Sequence, residues 1–329
     1  MKISQLSPDD AVACAEALTV FDSARDADCP DAINHTAVSY AGLLRYGWDG
    51  VPPRNYLARD DSGRPVAVLA VDLPTYDNTH VAWFDVTVAP EFRRRGIGSE
   101  LLGIGLDMAR EAGRRSAGID GWDLPAGVAF AAKHGFEQKS ADVRRRQLLA
   151  DLDWNKLDLM YDDALAAAGD YELLRVRDAV PDELLDDVVT MTAAINDAPT
   201  DDLDIEDEVF TAERIRAFET AMVGWDRRLY RVIARHKRSG EFGGHSLVGV
   251  EHERPHVGWQ LDTAVLRAHR GHRLGMLVKI ELLRWLREAE PQLASIDTWN
   301  AESNQHMIAV NDAMGYRIVA RGIQYQRSL

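Results

Sequence analysis

Cysteine is scarce in this 329-residue chain, which contains only Cys14 and Cys29 and no Cys-x-x-Cys or Cys/His metal spacing. A disulfide framework and a structural zinc site are therefore not expected, and a reducing cytoplasm is the simplest location. The chain also has no apolar run long enough for a membrane span and no apolar stretch near its start that would suggest a signal peptide.

Basic residues are outnumbered: 38 Lys and Arg face 53 Asp and Glu, for a formal net charge of −15. This charge disfavours nucleic acid and anionic membranes as main partners, because both require a basic surface, and neither is expected. The hydrophobic share of 46% is enough to build folded cores, and the length favours two domains.

An internal repeat organises the sequence. Asp85 and Asp262 lie 177 positions apart, and so do Gly98 and Gly275 in the Arg- and Gly-rich segments that follow them. The dipeptides Ile119-Asp120 and Ile296-Asp297 show the same spacing, whereas Gly135-Phe136 and Gly315-Tyr316 are 180 positions apart. The repeat predicts two similar domains, residues 1–150 and 171–329, with a connecting helix within residues 151–170.

Each copy shows alternating apolar segments typical of strands, then a short loop, then apolar residues at helical spacing. The second strand is predicted at residues 81–88 in the first copy and 258–265 in the second. Strands that alternate with helices indicate an α/β fold with helices on the faces of a sheet.

The loop between this strand and the helix carries the strongest chemical signal, Arg93-x-x-Gly96-x-Gly98. Such a loop presents backbone N–H groups at a helix N-terminus, where the helix dipole favours an anion. Glycine allows the backbone to approach the anion closely, and the arginines add positive charge. The pattern predicts a phosphate or pyrophosphate site, but it matches neither a Walker loop nor a dinucleotide fingerprint.

Together with the preceding Val88-Ala89-Pro90, this loop resembles the pyrophosphate loop of the GCN5-related N-acetyltransferase (GNAT) superfamily. The pattern Asn304-x-x-Met307-x-x-x-Asn311-x-x-x-Gly315-Tyr316 is similar to another motif of that superfamily. The resemblance covers most of both halves and implies two tandem GNAT-like domains, each a mixed, mostly antiparallel sheet flanked by helices.

The resemblance further implies acetyl-CoA as cofactor and an acceptor amine as substrate. The residues it assigns to acetyl-CoA are Val88, Arg93, Arg94, Arg95, Gly96, Ile97, Gly98 and Ser99 in the first copy, and Val265, Arg270, Gly271, His272, Arg273, Leu274, Gly275, Met276 and Asn304 in the second.

Catalytic candidates follow from the same resemblance. A carboxylate on the fourth strand often accepts the amine proton in this superfamily, which makes Asp262 and Asp85 candidate bases or ammonium anchors. Asn300 and Asn311 are candidates to hold a water. Asn311 stands where the family usually has its tyrosine acid, and Arg273 stands where the first copy has Gly96. In the first copy, Leu124 and Ala131 replace the family's Asn and Tyr. The surviving polar side chains favour chemistry in the second half.

An acidic stretch suggests the acceptor. Residues 197–208 contain seven acids and no base, and in a related domain this segment borders the acceptor cleft. A small cationic amine would suit such a field, although a solvated loop remains the simpler interpretation. The expected activity is therefore N-acetyl transfer to a primary amine, with no metal. The alternative is a catalytically silent sensor or scaffold that binds CoA or acyl-CoA.

Overall fold

The computed structural model describes residues 1–329, which fold into two compact units. Unit 1 contains Met1–Val143, Thr200–Glu208 and Ala320–Leu329, and unit 2 contains Arg144–Pro199 and Val209–Val319. Each unit is thus completed by segments distant in sequence. None of the helices combines the length and the apolar character that crossing a membrane requires.

Unit 1 is built on a sheet with the strand order β1-β2-β3-β4-β5-β12. The strands are β1 (Lys2–Gln5), β2 (Arg54–Arg59), β3 (Pro65–Asp72), β4 (Val81–Val88), β5 (Ser116–Trp122) and the part of β12 (Arg317–Ser328) that belongs to this unit. Neighbours are antiparallel except for β4 and β5, which are parallel.

Helices cover both faces of this sheet. They are α1 (Ala11–Asp28), α2 (Ala37–Tyr46), α3 (Ile97–Glu111) and α4 (Pro125–Lys133). The apolar stripe of α3 buries Leu101, Leu102 and Leu106 in the core, and Gly105 lets the helix approach the ring of Phe84 on β4. On the other face, Tyr40 of α2 donates to Asn55 Oδ1 at 3.4 Å.

Unit 2 repeats this plan. The strands are β7 (Tyr171–Arg177), β8 (Arg227–His236), β9 (Phe242–Glu251), β10 (Val257–Val265) and β11 (Ser295–Ala301), with the end of β6 (Glu137–Leu148) beside β11. The pairs β7–β8, β8–β9 and β9–β10 are antiparallel, whereas β10 and β11 are parallel. The helices are α5 (Trp154–Ala167), α6 (Leu185–Thr192), α7 (Ala212–Gly224), α8 (Leu274–Ala289) and α9 (Gln305–Ala313). The mixed, mostly antiparallel α/β fold expected from the sequence is confirmed.

Strand register corrects one part of the repeat. In unit 1 the carbonyl of His80 accepts from the amide of Ser116 at 3.0 Å, and in unit 2 the carbonyl of His256 accepts from Ser295 at 3.1 Å. Ser116 therefore corresponds to Ser295, 179 positions later. The equal spacing of Ile119-Asp120 and Ile296-Asp297 is coincidental, because two extra residues precede β11.

Candidate functional site

The first predicted loop has the backbone of an anion site. A short 3-10 turn (Pro90–Phe92) follows β4, Arg94 and Gly96 then adopt left-handed φ values of 62° and 88°, and α3 begins at Ile97 without a side-chain cap. The first backbone hydrogen bond of the helix runs from Glu100 N to Gly96 O at 3.0 Å. The amides of residues 94–99 have no acceptor within the protein. These N–H groups lie at the positive end of the helix dipole, so they can bind a pyrophosphate.

The arginines of this loop do different things. Arg93 braces the loop, because its Nε donates to Val88 O at 2.9 Å and its two terminal nitrogens each donate to Asp28 at 2.7 Å. Arg95 donates to Glu91 O at 2.8 Å and lies over the ring of Phe92. Arg94 is exposed and has no partner, which leaves it available to an anion.

Two residues that the sequence did not single out stand beside this loop. The ammonium of Lys133, at the end of α4, donates to Ser99 Oγ at 3.1 Å, and His134 Nε2 lies 2.9 Å from the same hydroxyl. Desolvation, helped by Lys133 and Arg327, lowers the pKa of His134. Lys133 thus adds positive charge at the start of α3, a position that follows only from the packing of α4.

The second loop preserves the same conformation with a different sequence. Arg270 Nε donates to Val265 O at 3.2 Å and its guanidinium binds Asp197, as Arg93 binds Val88 O and Asp28. Left-handed φ values occur at Gly271 (88°) and Arg273 (55°). Each loop therefore fills its two left-handed positions with one glycine and one arginine, in opposite order. Leu277 N donates to Arg273 O at 3.1 Å, and the amides of residues 271–276 are unpaired.

The exposed arginines at the second loop are paired with carboxylates of the protein. Arg273 pairs with Asp163, and Arg267 joins Arg270 on Asp197. The hydrogen bond from Arg267, with the charges of both arginines, lowers the pKa of Asp197. Gly275, Leu274 and Met276 form the start of α8, and His272 is exposed in the loop.

A gap between strands adjoins each loop. In unit 1 the parallel register of β4 and β5 ends at Phe84 and Ile119, although both strands continue for several residues. In unit 2 the register of β10 and β11 ends at Trp259 and Asp297, and a bulge interrupts β10 between Gln260 and Thr263. Beyond these residues the two strands of each pair are no longer paired with each other, so their facing backbone edges are open to an extended chain.

On the sheet face opposite α3, unit 1 gathers carboxylates that no cation neutralises. Asp85 follows Phe84 on β4, and Asp120 follows Ile119 on β5. Both side chains are on the face of Trp83 and Gly118, which contact each other across the two strands. Desolvation by the surrounding protein, followed by repulsion from Asp85 and then Asp142, raises the pKa of Asp120 to about 7. Asp85 is accessible to solvent, yet desolvation by the neighbouring protein raises its pKa as well. A hydrogen bond from Thr87 lowers this pKa but does not cancel the effect of desolvation.

Part of the acidic stretch belongs to this face. Residues 200–208, which the sequence places in the second half, are in unit 1, where Asp204 N donates to Gln326 Oε1 at 2.7 Å. Asp201 accepts a hydrogen bond from Ser140 Oγ at 2.6 Å. The pKa of Asp142 is raised first by desolvation and then by the negative charge of Asp201. The stretch therefore adds negative charge beside Asp142, which in turn raises the pKa of Asp120.

On the corresponding face of unit 2, arginines lie near the carboxylates and offset their negative charge. Asp262 lies near Arg231, which acts against the desolvation that raises the pKa of this carboxyl. Arg231 in turn bonds to His245 Nδ1 at 3.1 Å, and desolvation keeps the pKa of His245 low. The carboxylate of Asp297, with no exposed side-chain surface, binds the guanidinium groups of both Arg144 and Arg146.

The three predicted asparagines of unit 2 form local structure. Asn304 caps α9 by accepting from Met307 N at 3.2 Å, and Asn311 Nδ2 donates to Asn300 Oδ1 at 2.7 Å. Asn311 is fully buried, and its Oδ1 has no donor. In unit 1 the residue before α4 is Leu124, and Ala131 occupies the position of Asn311.

Comparison with known proteins agrees with this geometry. Residues 21–136 match the family model described as Acetyltransferase (GNAT) family. A solved tandem GNAT protein from the clavulanic acid biosynthesis pathway is 27% identical, with 99% of this chain and 98% of that chain covered and a TM-score of 0.81. A GCN5-related N-acetyltransferase from Sphaerobacter thermophilus is 17% identical over 99% of this chain and 95% of its own, with a TM-score of 0.65. No curated protein matches.

Proposed function

We propose that this protein transfers an acetyl group from acetyl-CoA to a primary amine of a small cationic molecule. Two findings support the proposal: residues 21–136 match the acetyltransferase (GNAT) family model, and the whole chain is similar in fold to a tandem GNAT protein. We place the chemistry in unit 1. The sequence favours the second half, but there Asp297 is bound by two arginines and Asp262 lies near Arg231.

The observation that carries the proposal is the presence, in one unit, of a free amide loop and of uncompensated carboxylates beside the strand gap. The loop fits a pyrophosphate, since the N–H groups of residues 94–99 are unpaired and Arg94 and Lys133 supply positive charge. Acetyl-CoA brings an activated acyl group as a thioester. The carboxylates attract a cation and provide proton acceptors for an amine.

Turnover is the direct test of this function. Release of free thiol from acetyl-CoA should accelerate with diamines or basic amino acids and much less with an amine attached to an anionic group. A protein that binds CoA tightly but releases no thiol with any amine in such a panel would refute the proposed function.

A charge substitution tests the first loop. Gly96→Glu should weaken CoA binding about tenfold or more, because a negative side chain would face the pyrophosphate. Gly96→Arg is the matched control: it introduces the same left-handed strain, which Arg273 sustains in the second loop, but with the opposite charge. Calorimetry that finds equal affinities for the two variants would show that the loop does not contact the pyrophosphate.

A second function, binding of CoA or acyl-CoA without chemistry, is favoured for unit 2 by one observation. Its loop keeps the unpaired amides of residues 271–276, whereas Asp297 is neutralised and Asp262 lies near Arg231. Arg273→Glu should then remove one CoA site from the calorimetric stoichiometry and leave turnover in unit 1 intact. Loss of turnover in this variant would instead place the chemistry in unit 2.

A further inference from the structure

Asp120 has a place in unit 1 that the sequence analysis did not recognise. It is the first residue of β5 beyond Ile119, where the register with β4 ends, so it stands at the mouth of the strand gap. Gly118 and Gly121 flank this segment. A side chain at Gly118 would collide with the ring of Trp83, and the space beside Gly121 is open. Asp120 itself is exposed, so its carboxylate is accessible from the sheet face opposite α3, which we call the acceptor face.

The charged groups that act on Asp120 are all negative. Asp85 lies on β4, the strand across the gap, and Asp142 lies on β6. On β12, the residue opposite Asp120 is the neutral Gln324. No arginine or lysine pairs with Asp120. In unit 2 the position that corresponds to Asp120 is occupied by Trp299, so this arrangement is particular to unit 1.

We propose that Asp120 is the general base of unit 1, accepting a proton from the acceptor ammonium, and that Asp85 holds that ammonium beside it. This inference rests on the proposed function. It differs from the sequence-based choice of Asp85 or Asp262 as base, because Asp85 has a hydrogen-bond donor of its own, with Thr87 Oγ1 2.9 Å from its Oδ1, whereas no other side chain donates to Asp120.

The reaction removes two protons from the nitrogen of the substrate. The ammonium gives one proton to the Asp120 carboxylate and becomes a neutral amine, whose lone pair attacks the thioester carbonyl carbon. A C–N bond forms and the C–S bond breaks, with its electron pair leaving on sulfur. The nitrogen loses its second proton to the thiolate, and Asp120 returns its proton to solvent. A base whose pKa is about 7 suits this proton transfer at neutral pH. A large fraction of the carboxyl is then ionised and can accept a proton, and it has a higher proton affinity than an ordinary carboxylate, so it competes better with the amine for the proton.

The experiment compares the pH dependence of kcat/KM for the full-length protein and Asp120→Asn. In the unaltered protein, kcat/KM should rise up to about pH 7 and then flatten. In Asp120→Asn it should be lower by about a hundredfold or more at pH 7. In this variant kcat/KM should keep increasing with pH up to the pKa of the free amine, because only the neutral amine can react. Asp107→Asn, on the exposed side of α3, is the matched control and should leave the profile unchanged.

Asp85→Asn provides a second readout. Removal of this negative charge should move the inflection of the profile to lower pH, because Asp85 raises the pKa of Asp120, and it should also raise KM. The failures can be told apart. No turnover in the unaltered protein refutes the proposed function, whereas normal turnover with an unchanged profile in Asp120→Asn refutes only the role of Asp120. Calorimetry of CoA binding to Asp120→Asn checks that the variant is folded.

Discussion

Asp297 offers a quantitative test of how unit 2 uses its charges. Its carboxylate has no exposed side-chain surface and is shared by Arg144, with 3% of its side chain exposed, and Arg146, with 19%. Asp297→Asn keeps the shape but leaves two guanidinium groups without a counter-charge. Removing one partner from a buried ion pair typically costs about 3–5 kcal/mol, because the remaining charge cannot regain its hydration.

The assay is urea unfolding followed by tryptophan fluorescence, since the ring of Trp259 lies 5.4 Å from the Arg144 guanidinium. With a slope of about 2–3 kcal/mol per molar urea, the midpoint of unit 2 should fall by about 1–2.5 M. The control is Asp158→Asn, whose pair with Arg284 is exposed by 54% and 28%, and it should cost less than about 1 kcal/mol. If the two variants shift the midpoint equally, the buried pair does not hold unit 2 together.

Two further predictions concern the core of each unit. A Cβ at Gly118 would lie 2.3 Å from the Trp83 ring, whereas nothing lies within 4 Å of a Cβ at Gly121. Gly118→Ala should therefore destabilise unit 1 by about 1–3 kcal/mol, and Gly121→Ala hardly at all. Equal thermal midpoints for the two variants would contradict this. Desolvation lowers the pKa of buried Lys279 to about 7, so between pH 7 and 10 the unfolded chain binds a proton that the folded chain does not. The stability of unit 2 should rise with pH there by up to about 1.4 kcal/mol per unit, and a slope that survives in Lys279→Met would exclude this lysine as its cause.

Local patterns in the sequence were enough to predict two loops that end at a helix N-terminus with unpaired amides. The strand, the glycines and the helix that follow one another at residues 81–111 depend on neighbouring residues only. Glycine is the residue expected at a left-handed position, but the second loop has Arg273 where the first has Gly96. The structure shows that each loop needs two such positions and that one arginine is tolerated in each, at Arg94 and Arg273.

The acceptor face could not be predicted in the same way. Asp120 gains its importance from the end of the β4–β5 register and from Asp85 and Asp142, which lie on other strands. The equal spacing of Asp120 and Asp297 suggested equivalent residues, but a two-residue difference before β11 places Asp297 among arginines instead. Residues 200–208 join unit 1 through hydrogen bonds to residues more than a hundred positions away. Such long-range pairing has no local signal.

The charge on the acceptor face explains why a single carboxylate would serve an ammonium substrate poorly. A carboxylate that pairs with an ammonium is stabilised in its ionised form, so its pKa falls and it becomes a weaker base at the moment it is needed. A second carboxylate can hold the cation while the first keeps its affinity for the proton. Asp85 and Asp120 meet this requirement in unit 1, since desolvation raises the pKa of both carboxyls and neither is paired with a cation of the protein. Unit 2 lacks it, because the positive charge of Arg231 already acts on Asp262.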